Sequence, residues 1–150
     1  MKKLLAMVLA LVMTLSLAVS ANAAFKDDKS ISDDYAESVA VLNGMGVFKG
    51  YEDGSFKPSG NVTGYEVLAM ILRAVGYDKN NEFSGADWAL HVAQTAQQLG
   101  VLDNVAKTTD LNAPASRELV AELLFQGIQK AQVTYTPAFG YVTDKVISTK

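Results

Sequence analysis

Two consecutive stretches of this chain carry one pattern, and that repeat constrains the fold more than any other feature. Tyr35 is matched by Trp88 at an offset of 53, Gly46 by Gly100 at 54 and Glu66 by Glu118 at 52. Each copy opens on a Phe with acids close behind: Phe25-Lys26-Asp27-Asp28 in the first, Phe83-Ser84-Gly85-Ala86-Asp87 in the second. Tyr35, Val39 and Leu42 then share one face of a helix of period 3.6, as do Trp88, Val92 and Leu99. The first helix is predicted to stop at Gly44-Met45-Gly46-Val47 and its counterpart at Leu99-Gly100-Val101. Glycine suits a helix end because it takes left-handed backbone without steric cost. A turn-rich loop and a second helix follow in each copy. One runs from Thr63 through Val67, Met70, Ile71 and Val75 to Gly76, the other from near Ser116 through Val120, Leu123, Leu124 and Ile128. Two helix–loop–helix units predict a mainly α fold.

The first loop reads GYEDGSFKPSGNVTGYE. Gly50-Tyr51-Glu52-Asp53-Gly54 is a turn sequence, with Asp-Gly supplying a positive φ. Tyr51 and Phe56 are expected to pin the loop to the helices as apolar pegs, and Pro58 and Gly60 break the chain again. Thr63-Gly64-Tyr65-Glu66 is a capping box: the Thr63 hydroxyl accepts from the Glu66 amide, and the Glu66 carboxylate accepts from the Thr63 amide.

At the N-terminus, Lys2 and Lys3 precede an apolar run from Leu4 to Val19, and Ala21-Asn22-Ala23 supplies a small-residue cleavage pattern. This is the layout of a secretory signal cut after Ala23. The run is short of the roughly 20 residues a membrane span needs. The remaining chain, Ala24 to Lys150, has 127 residues, enough for one modest core or two small repeats sharing one. Loss of Lys2 and Lys3 takes the formal charge from −3 to −5. A mildly acidic chain is not drawn to nucleic acid, and any anion it binds must be held by a local site. There is no cysteine, so an exported chain must rely on its core without disulfides, and thiolate metal or nucleophile chemistry is excluded. His91 is the only histidine, expected to be partly buried one turn from Trp88, and no G-x-S-x-G accompanies it. The acids at Asp27-Asp28 and Glu52-Asp53 lack the spacing of an EF-hand, and the carboxylates at caps and turns do not frame a sugar-cleaving cleft. No enzyme, metal or cofactor is expected.

The order Phe25-x-Asp27, Tyr35 where Trp is usual, Gly46-Val47, Gly50-Tyr51-x-Asp53-Gly54-x-Phe56-x-Pro58, Val62-Thr63-x-x-Glu66 and Leu72-Arg73 resembles an S-layer homology repeat. A second, degenerate copy keeps the Trp88 helix, Leu99-Gly100-Val101 and Ser116-Arg117-Glu118, but has Leu102-Asp103-Asn104-Val105 in place of the G-Y-x-D-G run. The resemblance implies a non-covalent anchor of a bacterial surface protein, located in the cell wall or S-layer. It implies helical repeats packed as a pseudo-trimer, here a partial one, and binding of a secondary cell-wall polysaccharide, commonly a pyruvylated one. The family's principal cation is the Arg of its T-R-A-E box at a helix N-terminus. Gly64 stands at that position in the first copy. With the second copy aligned on Glu118, Ser116 stands there and Arg117 falls one position later, about 100° around the helix. The residues that resemblance and chemistry bring forward for glycan binding are Lys49, Gly50, Tyr51, Thr63 and Arg117, with Lys57 a further cation near the loop. Asp53, Gly54, Phe56, Pro58, Glu66, Trp88 and Glu118 are read as structural motif residues. The alternative function is a protein–protein assembly module that has kept the fold without the glycan site. With two repeats present, self-association or a third repeat in trans is expected.

The expected organisation is a signal peptide at 1–23, repeat 1 at 24–79, repeat 2 at 80–131 and an extended tail at 132–150. The tail's β-branched and aromatic residues, Val133 to Pro137, Phe139 to Val142 and Val146-Ile147, read as the first strands of a further domain.

Overall fold

The computed structural model describes residues 25–143; the signal segment and Val146-Ile147 lie outside the described residues. The described chain is mainly helical, with one two-stranded antiparallel sheet at its C-terminal end. It forms two compact units that meet in sequence at Ser59/Gly60.

The first unit holds a 3-10 turn at Asp28–Ser30 and helix α1 at Asp33–Gly44. The expected stop is observed: Gly46 has φ +77° and donates to the Asn43 carbonyl. Val39 and Val47 are buried, whereas Tyr35 is 67% exposed and is not on a buried face. The loop that follows is tied to the N-terminal residues instead. Lys26 N–H donates to the Gly54 carbonyl at 3.0 Å, and the Asp27 carboxylate accepts from the amides of Phe56 at 2.8 Å and Lys57 at 2.9 Å. The Phe56 ring stacks on Phe25 at 5.0 Å and meets Phe48 at 5.5 Å. Phe56 is therefore a peg, but it pins the loop to Phe25 and Phe48, which lie outside the helices, and not to a helix face. Tyr51 is no peg: its ring is exposed and carries the Lys57 ammonium 3.9 Å from its centroid. Gly50 is required where it stands, because with φ +65° an added Cβ would lie 2.6 Å from the Phe25 ring.

The second unit contains α2 (Gly64–Ala74), α3 (Trp88–Gln98) and α4 (Arg117–Ile128), then β1 (Val133–Thr136) and β2 (Gly140–Thr143). Helix α2 is its centre and packs on both α3 and α4. Its Leu68 and Leu72 are completely buried beside Val92, Val101 and Leu123, and Ile71, Ala96 and Phe83 complete the core. Gly127 lets α4 approach α2, since a Cβ there would run into the Ile71 side chain. The strands pair from Val133↔Thr143 to Thr136↔Gly140. Val133 N–H donates to the Val75 carbonyl at 2.9 Å, so the hairpin sits at the C-terminal end of α2.

The connection between α2 and α3 is held by two polar clusters. Asp78, with φ +68° and a fully buried side chain, accepts from Arg73 Nε at 2.7 Å and from the Phe83 amide at 2.8 Å. The Tyr141 hydroxyl donates to Glu82 at 2.7 Å and accepts from the Lys79 amide at 2.8 Å. Burial, and then the neighbouring Glu82 carboxylate, raise the Tyr141 pKa to about 12. His91 is exposed rather than partly buried, with Nδ1 2.8 Å from the Glu82 carbonyl oxygen.

Candidate functional site at two helix starts

The two helix N-termini that carry the box positions differ sharply. At α2 both halves of the predicted capping box form: Glu66 N–H donates to Thr63 Oγ1 at 3.3 Å, and Thr63 N–H donates to Glu66 Oε2 at 2.7 Å. The segment preceding α4 then lies across this end. Leu111 accepts from the Tyr65 amide at 3.2 Å, the Ala115 amide donates to the Val62 carbonyl at 2.9 Å, and Thr63 bridges Pro114. Gly64 is buried beneath it. An ideal Cβ at Gly64 would stand 2.8 Å from Leu111 Cδ2 and 3.2 Å from Leu111 Cα. Gly64 is thus a packing position filled by Leu111, not a vacant arginine slot.

At α4 the N-cap is Ser116, whose Oγ accepts from the Leu119 amide at 3.2 Å. The cap fixes the register between copies. Thr63 matches Ser116 and Gly64 matches Arg117, at an offset of 53. The alignment on Glu118 is one residue out, because Glu118 is the second helical residue, whereas its supposed counterpart Glu66 is the third. In this register Arg117 falls where the resemblance would place the box arginine. Ser116, Arg117 and Glu118 are all exposed. Beside them lies an open depression of about 430 Å³, lined among others by Asn104, Thr109, Asp110, Ser116, Glu118 and Glu122. Asn104 Nδ2 donates to Glu122 Oε1 at 3.1 Å.

The remaining sequence candidates lie in the first unit. Lys49, Gly50 and Tyr51 are consecutive and exposed, and Lys57 stands over the Tyr51 ring. Asp53 closes the turn by accepting from the Ser55 hydroxyl at 2.6 Å and the Ser55 amide at 2.9 Å, and these bonds hold its carboxyl below the usual range. The amides of Phe56 and Lys57 do the same for Asp27. Gly54 has φ +82°, as the turn sequence requires, and Pro58 is exposed. Trp88 meets Tyr65 edge-on at 6.4 Å in the second unit. Among the described residues no group of three or more His, Asp or Glu side chains is placed to hold a metal ion.

The S-layer homology domain model matches residues 24–68. The chain carries an S-layer homology domain. The match ends just after the capping box, so the S-layer homology segment includes the Gly50 to Pro58 loop and the start of α2. The chain is similar to a middle cell wall protein of Brevibacillus brevis, 35% identical over 89 residues, covering 59% of this chain and 8% of that protein. A surface layer protein of Brevibacillus choshinensis is 42% identical over 57 residues, covering 38% of this chain and 5% of the relative. An amylopullulanase of Thermoanaerobacterium thermosulfurigenes is 31% identical over 107 residues, covering 64% of this chain and 6% of the relative. The matched segment spans no more than a tenth of the length of these relatives. No solved structure matches the chain significantly.

Proposed function

We propose that this chain is a non-covalent cell-wall anchoring module of a surface protein, and that it holds an acidic wall polysaccharide at the N-terminus of α4. The observation that carries the glycan site is Arg117 in the first helical position, exposed, directly after the Ser116 cap. A guanidinium there works against the helix macrodipole, which disfavours cations at an N-terminus by about 0.3–1 kcal/mol. The same two positive features together favour an anion. A ketal carboxylate suits the guanidinium fork, which grips two oxygens at once. The neighbouring depression is acidic, so the negative group would sit toward Arg117 while neutral sugar hydroxyls donate to Asp110, Glu118 or Glu122. Similarity of parts of this chain to proteins as different as a middle cell wall protein, a surface layer protein and an amylopullulanase supports an attachment role over any one activity. Surface localisation and the N-terminal export signal fit this role.

The test is co-sedimentation of the secreted chain with purified wall sacculi, before and after chemical removal of the wall polysaccharide. Pelleting that disappears with the polysaccharide supports the reading. Pelleting that survives it, or none at all, refutes it. The assembly reading is favoured by a separate observation, the apolar side chains that α4 leaves exposed.

A further inference from the structure

Asp53-Gly54 is the one Asp-Gly pair in the chain, and it lies in the exposed turn of the first unit. Glycine has no side chain to hinder approach to its amide, so Asp-Gly is the aspartyl sequence most open to attack by its own backbone. The folded turn occupies both groups that would react. The Gly54 N–H donates to the Tyr51 carbonyl at 2.8 Å. Asp53 Oδ1 accepts from the Ser55 hydroxyl at 2.6 Å and from the Ser55 amide at 2.9 Å. The Gly54 carbonyl is held in turn by the Lys26 amide at 3.0 Å. Asn43-Gly44, the amide counterpart of this pair, ends α1 instead, where the backbone is helical.

We infer that Asp53-Gly54 is a latent self-modification site, which converts to isoaspartate when this turn opens and is held back by the turn's own hydrogen bonds. In the opened turn the Gly54 amide nitrogen loses its proton and bonds to the side-chain carboxyl carbon of Asp53. That carbon gives up its hydroxyl, and proton and hydroxyl leave together as one water. A five-membered succinimide remains. A second water then adds to one of the two ring carbonyls. Addition at the main-chain carbonyl breaks its bond to Gly54 and leaves the chain running through the side-chain carbon, which is isoaspartate. Addition at the other carbonyl restores aspartate. One water leaves and one enters, so the mass is unchanged and no oxidant is needed. In the closed turn the amide proton stays on the Tyr51 carbonyl. The Ser55 hydroxyl and amide hold Asp53 as the carboxylate, which has no hydroxyl to release. Conversion would add one main-chain methylene, about 1.5 Å of chain. The Tyr51 amide donates to the Ser55 carbonyl at 2.8 Å across this point, and the Asp27 carboxylate holds the Phe56 and Lys57 amides just beyond it. The lengthened loop would lose its register on Phe25 to Asp27.

The inference does not depend on the glycan reading, and its test contains no wall material. The secreted chain is aged at mildly acidic pH, folded and in guanidinium chloride, and then digested. Isoaspartate at position 53 is quantified by electron-transfer fragmentation and by isoaspartyl methyltransferase labelling. The unfolded chain should accumulate it at least about 10-fold faster than the folded one, the margin that a few net hydrogen bonds supply against local opening. Folded Ser55→Ala, with a thermal melt showing that it is folded, should age about 3-fold faster or more than folded wild type, since one bond to the carboxylate is gone. In guanidinium chloride Ser55→Ala should match wild type, and Gly54→Ala should age more slowly than both. Equal rates for the folded and unfolded chain, no isoaspartate at position 53 in guanidinium chloride, or folded Ser55→Ala ageing no faster than wild type would each overturn the inference.

Discussion

Gly64→Arg restores the family's box residue in the first copy, and sequence reasoning alone expects it to strengthen wall binding. The structure expects damage. The new Cβ would meet Leu111 Cδ2 at 2.8 Å and Leu111 Cα at 3.2 Å. The methyl end of Leu111 can rotate away, but its backbone can move only with the segment tied to α2 by the Tyr65–Leu111 and Ala115–Val62 hydrogen bonds. Overpacking of this kind costs about 1–3 kcal/mol. Replacing glycine in a helix returns up to about 1 kcal/mol, and less at the first position than in the interior. The balance is a loss of about 1–2 kcal/mol. For a unit of this size each kcal/mol moves Tm by about 4–8 °C. Gly64→Ala, with only the Cβ to place, should lose less than Gly64→Arg. Thermal and urea unfolding of the three proteins, with sacculus binding compared at matched folded fraction, measures the effect. If Gly64→Arg is as stable as wild type, or binds wall more tightly, the Leu111 segment does not seal α2 and the reasoning fails.

Other outcomes follow from the same geometry. Thr63→Ala removes one half of the capping box and should cost about 1 kcal/mol in a thermal melt, with Ser116→Ala costing a similar or smaller amount because its helix start lacks the reciprocal carboxylate. Asp78→Ala leaves Arg73 and the buried Phe83 amide without their shared partner and should cost about 3–5 kcal/mol by urea titration, against near-neutral change for Lys107→Ala in an exposed loop. Asp27 has a folded-state pKa lowered by the Phe56 and Lys57 amides, so its contribution is present above the ordinary carboxylate value and is lost as pH falls through the depressed one. Acid titration followed by amide exchange at Phe56 and Lys57 should show these bonds opening only once the pH falls below the ordinary carboxylate range, and Asp27→Asn should remove that acid dependence.

Much of the fold was legible because its signals are local. Helix period, glycine stops and the capping box each depend on residues a few positions apart, and all three appear where the sequence put them. Tyr35 and Tyr51 were misjudged because an aromatic at a helical or turn position reads as buried unless its neighbours in space are known. Gly64 could not have been read correctly, since what fills its space is Leu111, 47 residues away. The register of the second copy was available and was obscured by a shared letter. Val67, Met70, Ile71 and Val75 each have an apolar counterpart exactly one 53-residue offset away, in Val120, Leu123, Leu124 and Ile128. A glutamate near each helix start gave 52 and drew the alignment off by one. Hydrophobic spacing was the better guide, because core positions tolerate a shift less readily than a surface carboxylate does.

The account rests on Arg117 as the wall contact, and the direct measurement is the dissociation constant of the secreted chain for purified wall polysaccharide, compared with Arg117→Ala and Arg117→Lys. Loss of a charge-assisted hydrogen bond of roughly 1.5–3 kcal/mol should weaken binding about 10- to 100-fold in Arg117→Ala. Arg117→Lys keeps the charge without the two-point fork and should fall between them. Arg117 is exposed, so all three proteins should fold, with Arg117→Lys melting close to wild type and Arg117→Ala at or slightly above it because a cation has left the helix N-terminus. Equal affinity for wild type and Arg117→Ala would contradict the assignment of the site.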